Sequence, residues 1–367
     1  MKPWRTLITA FFTSGLLCLQ AAAQTPDSPP QVDMRMTAAA RQELVGRLAS
    51  EVDQRYVFPG TARKVATALR EQQKRGAYDA ITSARQLAET LTRQMQDVGG
   101  DRHLRVVYSE QVLAARKPHA EPSPHERAQR LEMMRSANFG VAKIERLPFN
   151  IGYLELDGFF SASDAAGTLA AAMTVLANTD ALVIDLRNNG GGDAAASVLM
   201  ASYLLDKRTH LGDFQYREGK RVEQRWSLDV VPGVRYGQKK EVYILTSKAT
   251  FSAAEDFAYA LKNLKRATIV GETTGGGANS GEDLRLLPHF SAFMPTGRMV
   301  SPITQSNWEE TGVAPDIAVC AGQALESAQR TILEKWAASE NDASRLAYLK
   351  QRLAELGTGG GIPCPLQ

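Results

Sequence analysis

From residue 150 onward the chain alternates short apolar runs with helical patterns, and this alternation constrains the fold more than any other feature. Strand-like runs lie at 151–156, 181–186, 241–246 and 267–270. Helical spacing marks 165–177, 194–205 and 252–264 between them. Strands alternating with helices imply an α/β core with substantial parallel pairing. No internal repeat is visible.

The flanks read differently. Leu44, Leu48 and Val52 recur at helical spacing over 37–56, with Thr37 as N-cap and Pro59-Gly60 as the stop. The pattern returns over 61–75 and again over 83–98, where Gly99-Gly100 closes it. Three amphipathic helices with short connections suggest a small bundle. The stretch HAEPSPH (119–125) reads as a linker, and 321–356 as two more helices ahead of a Gly/Pro tail.

The amino terminus reads as an address. Residues 1–23 open with Lys2 and Arg5, run apolar from Leu7 to Leu19, and end in Ala21-Ala22-Ala23. That is the pattern of a cleaved export signal, and the apolar run is too short to span a bilayer well. Its removal takes the formal charge from +3 to +1. A near-neutral chain with no basic stripe points away from nucleic acid. Cys320 and Cys364 then remain, bridged or as free thiols. The expected organisation is a signal peptide (1–23), disordered leader (24–34), helical bundle (35–107), linker (108–137), core domain (138–320) and C-terminal helices with tail (321–367).

Four segments can carry chemistry. In ALVIDLRNNGGGD (181–193) a buried strand runs into glycines, among them Gly190 and Gly191, whose N–H groups can face a developing negative charge. A plain tight turn explains the same residues. In LTSKATFSAAEDFAY (245–259) Ser252 stands where a loop meets a helix, beside the free N–H of Ala253. Ser252 with Glu255 also matches a capping box, which needs no catalysis. In VGGDRHLRV (98–106) His103 is the best-placed base among five histidines, although a lone histidine is usually structural. In NWEETGVAPD (307–316) Glu309 is an acid that surface solvation alone would explain.

As an ordered set, these segments resemble the C-terminal processing peptidases, or tail-specific proteases. The similarity is greater to the branch holding the tricorn core and the repeats of interphotoreceptor retinoid-binding protein. It is carried by GGDRHLRV (99–106), NFGVAKIERLPFNIGYLELDGF (138–159), ALVIDLRNNGGG (181–192), TSKATFSAAEDFAYALKNLKRATIVGETTGGGA (246–278) and NWEETGVAPDI (307–317). The resemblance implies a crotonase-like β/α spiral behind the helical bundle, with Ser252 as nucleophile, His103 as base and Glu309 as supporting acid. It places the oxyanion donors at Gly190, Gly191 and Ala253, and calls for no metal or organic cofactor. The expected partner is a peptide or protein substrate, in the periplasm or secreted, with no membrane span left after signal cleavage.

The sequence departs from that pattern in two places. Gly277 stands where a Ser–Lys enzyme of the family has its lysine, which shifts the base to His103. Arg102 stands beside His103 where relatives often have a small residue, and it can pair with Glu309. The stretch 108–137 is too short for a PDZ domain. A second class of function shares the fold: a non-catalytic binder of retinoid- or fatty-acid-like ligands, for which Phe159-Phe160 and 290–294 would supply apolar surface. A related hydrolase acting on a non-peptide acyl substrate is a third.

Overall fold

The computed structural model describes residues 33–114, 123–217 and 221–358. The expected export signal, nearly all of the leader and the Gly/Pro tail lie outside the described residues. Cys320 is disulfide-bonded.

The chain opens with three helices, α1 (Ala38–Arg55), α2 (Pro59–Lys74) and α3 (Ala84–Gly99). Thr37 and Ser83 cap α1 and α3, accepting from Ala40 N–H at 3.2 Å and Gln86 N–H at 2.9 Å. The Pro59-Gly60 pair does not simply stop α1. It opens α2, where the missing proline N–H is one the helix would leave unpaired. Gly100 ends α3 with φ 71°, and its N–H returns to Gln96 O at 2.8 Å. Strand β1 (Arg105–Tyr108) follows. Helix α4 (Pro124–Ser136) then occupies part of the expected linker, so His125 is helical. Ser123 and Glu126 form a reciprocal capping box that starts it.

The core continues as β2 (Val141–Leu147), β3 (Ile151–Leu156), α5 (Ala162–Leu176), β4 (Ala181–Asp185), α6 (Ala194–Tyr203), β5 (His210–Tyr216) and β6 (Val222–Trp226). It goes on through β7 (Glu241–Thr246), α7 (Ala253–Asn263), β8 (Thr268–Gly271), β9 (Asn279–Leu287), β10 (Phe290–Val300) and β11 (Ile317–Ala318). Helices α8 (Ala324–Ser339) and α9 (Ala343–Thr358) finish the described chain. A six-stranded sheet has the order β11-β8-β7-β4-β3-β2, parallel except for the antiparallel β2–β3 pair. A second sheet, β1-β10-β5-β6 with β9 on β10, is antiparallel throughout.

The continuous apolar runs of the first sheet divide by the two-residue period of a strand. Leu154, Leu182, Ile184, Ile244 and Ile269 face the core made with α5, α6 and α7. Tyr153, Val183, Tyr243, Leu245 and Val270 face α8 and α9 on the other side. Each such side chain contributes about 1.5–3 kcal/mol by leaving water. The bundle packs instead on the second sheet, through Leu286, Phe290, Ala292 and Met294. Phe159, Phe290, Ala292 and Met294 lie in the core rather than on apolar surface, and Phe160 packs partly buried against it. Among the described residues no helix is long and apolar enough to cross a membrane.

Candidate active site

Two loops leave the carboxyl ends of neighbouring parallel strands, where open α/β sheets place their ligands. One follows β4 and the other follows β7. Backbone and side-chain bonds fasten them together: Phe251 N–H donates to Asn189 O at 3.0 Å, Thr250 Oγ1 to Leu186 O at 2.8 Å and Ser247 Oγ to Arg187 O at 2.5 Å. Gly191 needs to be glycine twice over. Its φ is 101°, and a Cβ there would lie 2.7 Å from Ser252 Cβ and 2.9 Å from Ala253 N. Buried Asn189 holds the turn, donating to Leu156 O and accepting from Gly191 N–H at 2.9 Å. In this conformation the Gly191 N–H is thus engaged, whereas Gly190 is exposed.

Ser252 sits at the head of α7 with φ 54° and ψ −117°. A non-glycine residue held there stores about 1–3 kcal/mol of strain, of the kind that clusters at functional sites. What holds it is Glu255, wholly buried one turn into the helix. Its carboxylate accepts from Ser252 N–H at 2.8 Å, Thr274 Oγ1 at 2.5 Å, Gly276 N–H at 2.7 Å and Gly277 N–H at 2.8 Å. The residue that reads as a helix cap therefore joins the serine elbow to the glycine loop 275–277. Burial pushes its pKa up, and the four donors oppose the shift. Ser252 and Ala253 line a cavity of about 240 Å³, with Gly277, Ala278, Met299 and Trp308 also in its wall.

His103 is 4% exposed and packs against this elbow. Its ring lies 4.5 Å from that of Phe251, the residue before Ser252, and 5.9 Å from that of Phe293. A Cβ on Gly277 would come within 2.6 Å of His103 Cε1 and 2.3 Å of Phe251 Cζ. The volume that a lysine at 277 would enter is therefore filled by the imidazole and the Phe251 ring. Glycine at 277 and histidine at 103 are sterically linked choices.

Glu309 reaches the same cluster from the far side. Its Oε2 accepts from Ala278 N–H at 2.5 Å and Asn279 N–H at 2.9 Å, clamping the start of β9. Arg102 does not pair with it. The guanidinium donates to Gly275 O at 2.8 Å and lies over the Phe251 ring, 5.1 Å from its centroid. Asp101, a residue not singled out from the sequence, is 1% exposed. Its Oδ1 accepts from His103 N–H at 2.8 Å, and its Oδ2 accepts from Tyr56 Oη at 3.1 Å and Asn279 Nδ2 at 3.0 Å. Its place two residues before His103 in GGDRH, where a short acid can bond the backbone N–H two positions on, was the available signal.

Burial, and next the charge of Asp101, push the Glu309 carboxyl from 4.5 up to about 8 against its two N–H bonds. An acid raised on folding favours the fold while it is neutral. That contribution is complete below about pH 4.5 and is lost as pH rises through about 8. Glu309→Gln is expected to flatten the fall in Tm between pH 5 and 8. An unchanged slope in a melting series over that range would place the titration elsewhere.

Fold and site together define an α/β protein with a strained serine, a buried imidazole and buried carboxylates in one cluster. The family model described as Peptidase family S41 matches residues 150–319, and that of the N-terminal domain of peptidase S41 in eukaryotic IRBP matches 35–139. The chain belongs to peptidase family S41, a family of serine peptidases. It is 34% identical to the chloroplastic C-terminal processing peptidase of Tetradesmus obliquus over 127 residues, covering 34% of this chain and 26% of that protein. It is 29% identical over 167 residues to carboxyl-terminal-processing peptidase 2 of Arabidopsis thaliana, covering 45% and 31%. The matched segments thus span about a quarter to a third of these curated relatives. A putative peptidase from Parabacteroides merdae shares the fold, with a TM-score of 0.52 at 21% identity over 76% of this chain and 90% of that one.

Proposed function

We propose that this protein is an exported serine peptidase that cleaves peptide bonds in a peptide or protein substrate. Ser252 Oγ attacks the carbonyl. His103 takes the serine proton and returns it to the leaving amine, following triad logic. Glu309 is the supporting acid, acting through the 277–279 turn that it clamps against the imidazole. Ala253 N–H and an N–H from Gly190 or Gly191 hold the oxyanion; use of Gly191 requires its bond to Asn189 to open. The reading takes the core as a crotonase-like β/α spiral, and export rests on the pattern of residues 1–23.

The observation that carries the proposal is a strained Ser252 directly after Phe251, whose ring packs on the buried His103 in the space Gly277 leaves free. Strain and burial of this sort are costly, and a plain helix cap needs neither. A fluorophosphonate probe tests it. Folded protein is expected to be labelled at Ser252, and His103→Ala to slow labelling about 10²- to 10⁴-fold, the usual worth of a general base. Folded protein that resists the probe favours the non-catalytic binder.

A further inference from the structure

We propose that Asp101 is the positioning residue that orients His103, and that Glu309 does not touch the imidazole. The inference rests on the serine-peptidase reading and deepens it. Among the described residues the carboxylate within 4 Å of a His103 ring nitrogen is Asp101, whose Oδ1 lies 3.6 Å from Nδ1. Among the described residues neither ring nitrogen has a hydrogen-bond partner. The 3.6 Å separation is just beyond hydrogen-bonding distance, with the aspartate fixed in place beside the ring. Asp101 is fixed from three directions: by the His103 backbone N–H, by Tyr56 at the C-cap of α1 and by Asn279 of β9.

The two acids divide the work by geometry. Glu309 spends Oε2 on the backbone of 278–279, and its Oε1 is buried with no partner among the described residues. Its raised pKa, about 8, keeps it largely neutral at pH 7, in part because Asp101 beside it holds the negative charge. A neutral carboxyl stabilises an imidazolium poorly. Asp101 instead accepts Nδ1–H and leaves Nε2 to accept the Ser252 proton. The imidazolium forms against the Asp101 carboxylate, and the proton passes on to the leaving amine. Other charged or titratable groups near the pair are Tyr56, Glu309 and Glu310, with Arg102 turned to Gly275 O and Arg105 over the Phe293 ring. The helical bundle thereby takes part in the site, because Tyr56 closes the far side of Asp101.

The test compares Asp101→Asn with Glu309→Gln in the full chain on one peptide substrate. Asp101→Asn is expected to lower kcat about 10³- to 10⁴-fold with little change in KM. It is also expected to move the acid limb of the pH–kcat/KM profile down by about 1 unit, as the imidazolium loses its partner. Glu309→Gln is expected to leave that limb in place. A limb that moves in Glu309→Gln and stays in Asp101→Asn overturns the proposal. If Asp101→Asn does not fold, ¹⁵N-histidine spectra of Ser252→Ala protein decide: the Nδ1–H tautomer supports Asp101, and the Nε2–H tautomer overturns it. Failure of the peptidase reading is distinct, since Ser252→Ala would then keep the hydrolytic rate and wild type would resist the fluorophosphonate.

Discussion

Ser252→Ala is expected to lower kcat about 10⁴- to 10⁶-fold, the range seen when a serine nucleophile is removed. Folding should survive. Alanine is as strained as serine at φ 54°, and the Ser252 N–H bond to Glu255 belongs to the backbone. Circular dichroism and Tm close to wild type, with fluorophosphonate labelling abolished, are the paired readouts. A variant that keeps turnover moves the nucleophile elsewhere. What remains after the substitution reports the oxyanion donors and substrate binding alone.

The second large effect belongs to Glu255. Glu255→Ala leaves three backbone N–H groups, those of Ser252, Gly276 and Gly277, without their acceptor in a buried region. Each such orphan costs about 1–3 kcal/mol, and partial relaxation brings the expected total to about 3–4 kcal/mol. Glu255→Gln is expected to fare little better. Each carboxylate oxygen accepts from a backbone N–H, so either amide orientation sets an NH₂ against a donor. Thr274 Oγ1 cannot rescue it freely, because that oxygen also accepts from Val313 N–H at 2.7 Å. Denaturant melts measure the loss, and activity should fall with it as the elbow and the glycine loop separate. If Glu255→Gln retained wild-type stability and turnover, the carboxylate would be a cap and nothing more.

The comparison of Glu255 with Glu309 shows where reading residues in order succeeds. Glu255 lies three positions after Ser252, a spacing that signals a bond within one helical turn, and the bond is there. Its other three bonds go to residues 19 to 22 positions away. Nothing local encodes them. Glu309, similarly, is one acid in an acid-rich turn until folding sets it over the N–H groups of Ala278 and Asn279.

Periodicity and turn chemistry determined the parts of this protein whose causes are local. The four inner strands of the first sheet, β3, β4, β7 and β8, are legible because burial on both faces makes them apolar, and the helices between them because one face is buried; the exposed edge strands β2 and β11 were not. The caps at Thr37 and Ser83, and the glycine stop at Gly100, are legible for the same reason. Strands β5 and β6 of the second sheet were not, since β5 mixes polar with apolar residues, β6 is largely exposed, and the two are joined antiparallel rather than through a crossover helix. Only the tertiary structure decided which acid stands beside His103, where Arg102 turns, and that a helix of the bundle reaches the site through Tyr56. Those are contacts between segments far apart in the chain. They depend on the register of two sheets and the packing of a bundle, which no short stretch of sequence specifies.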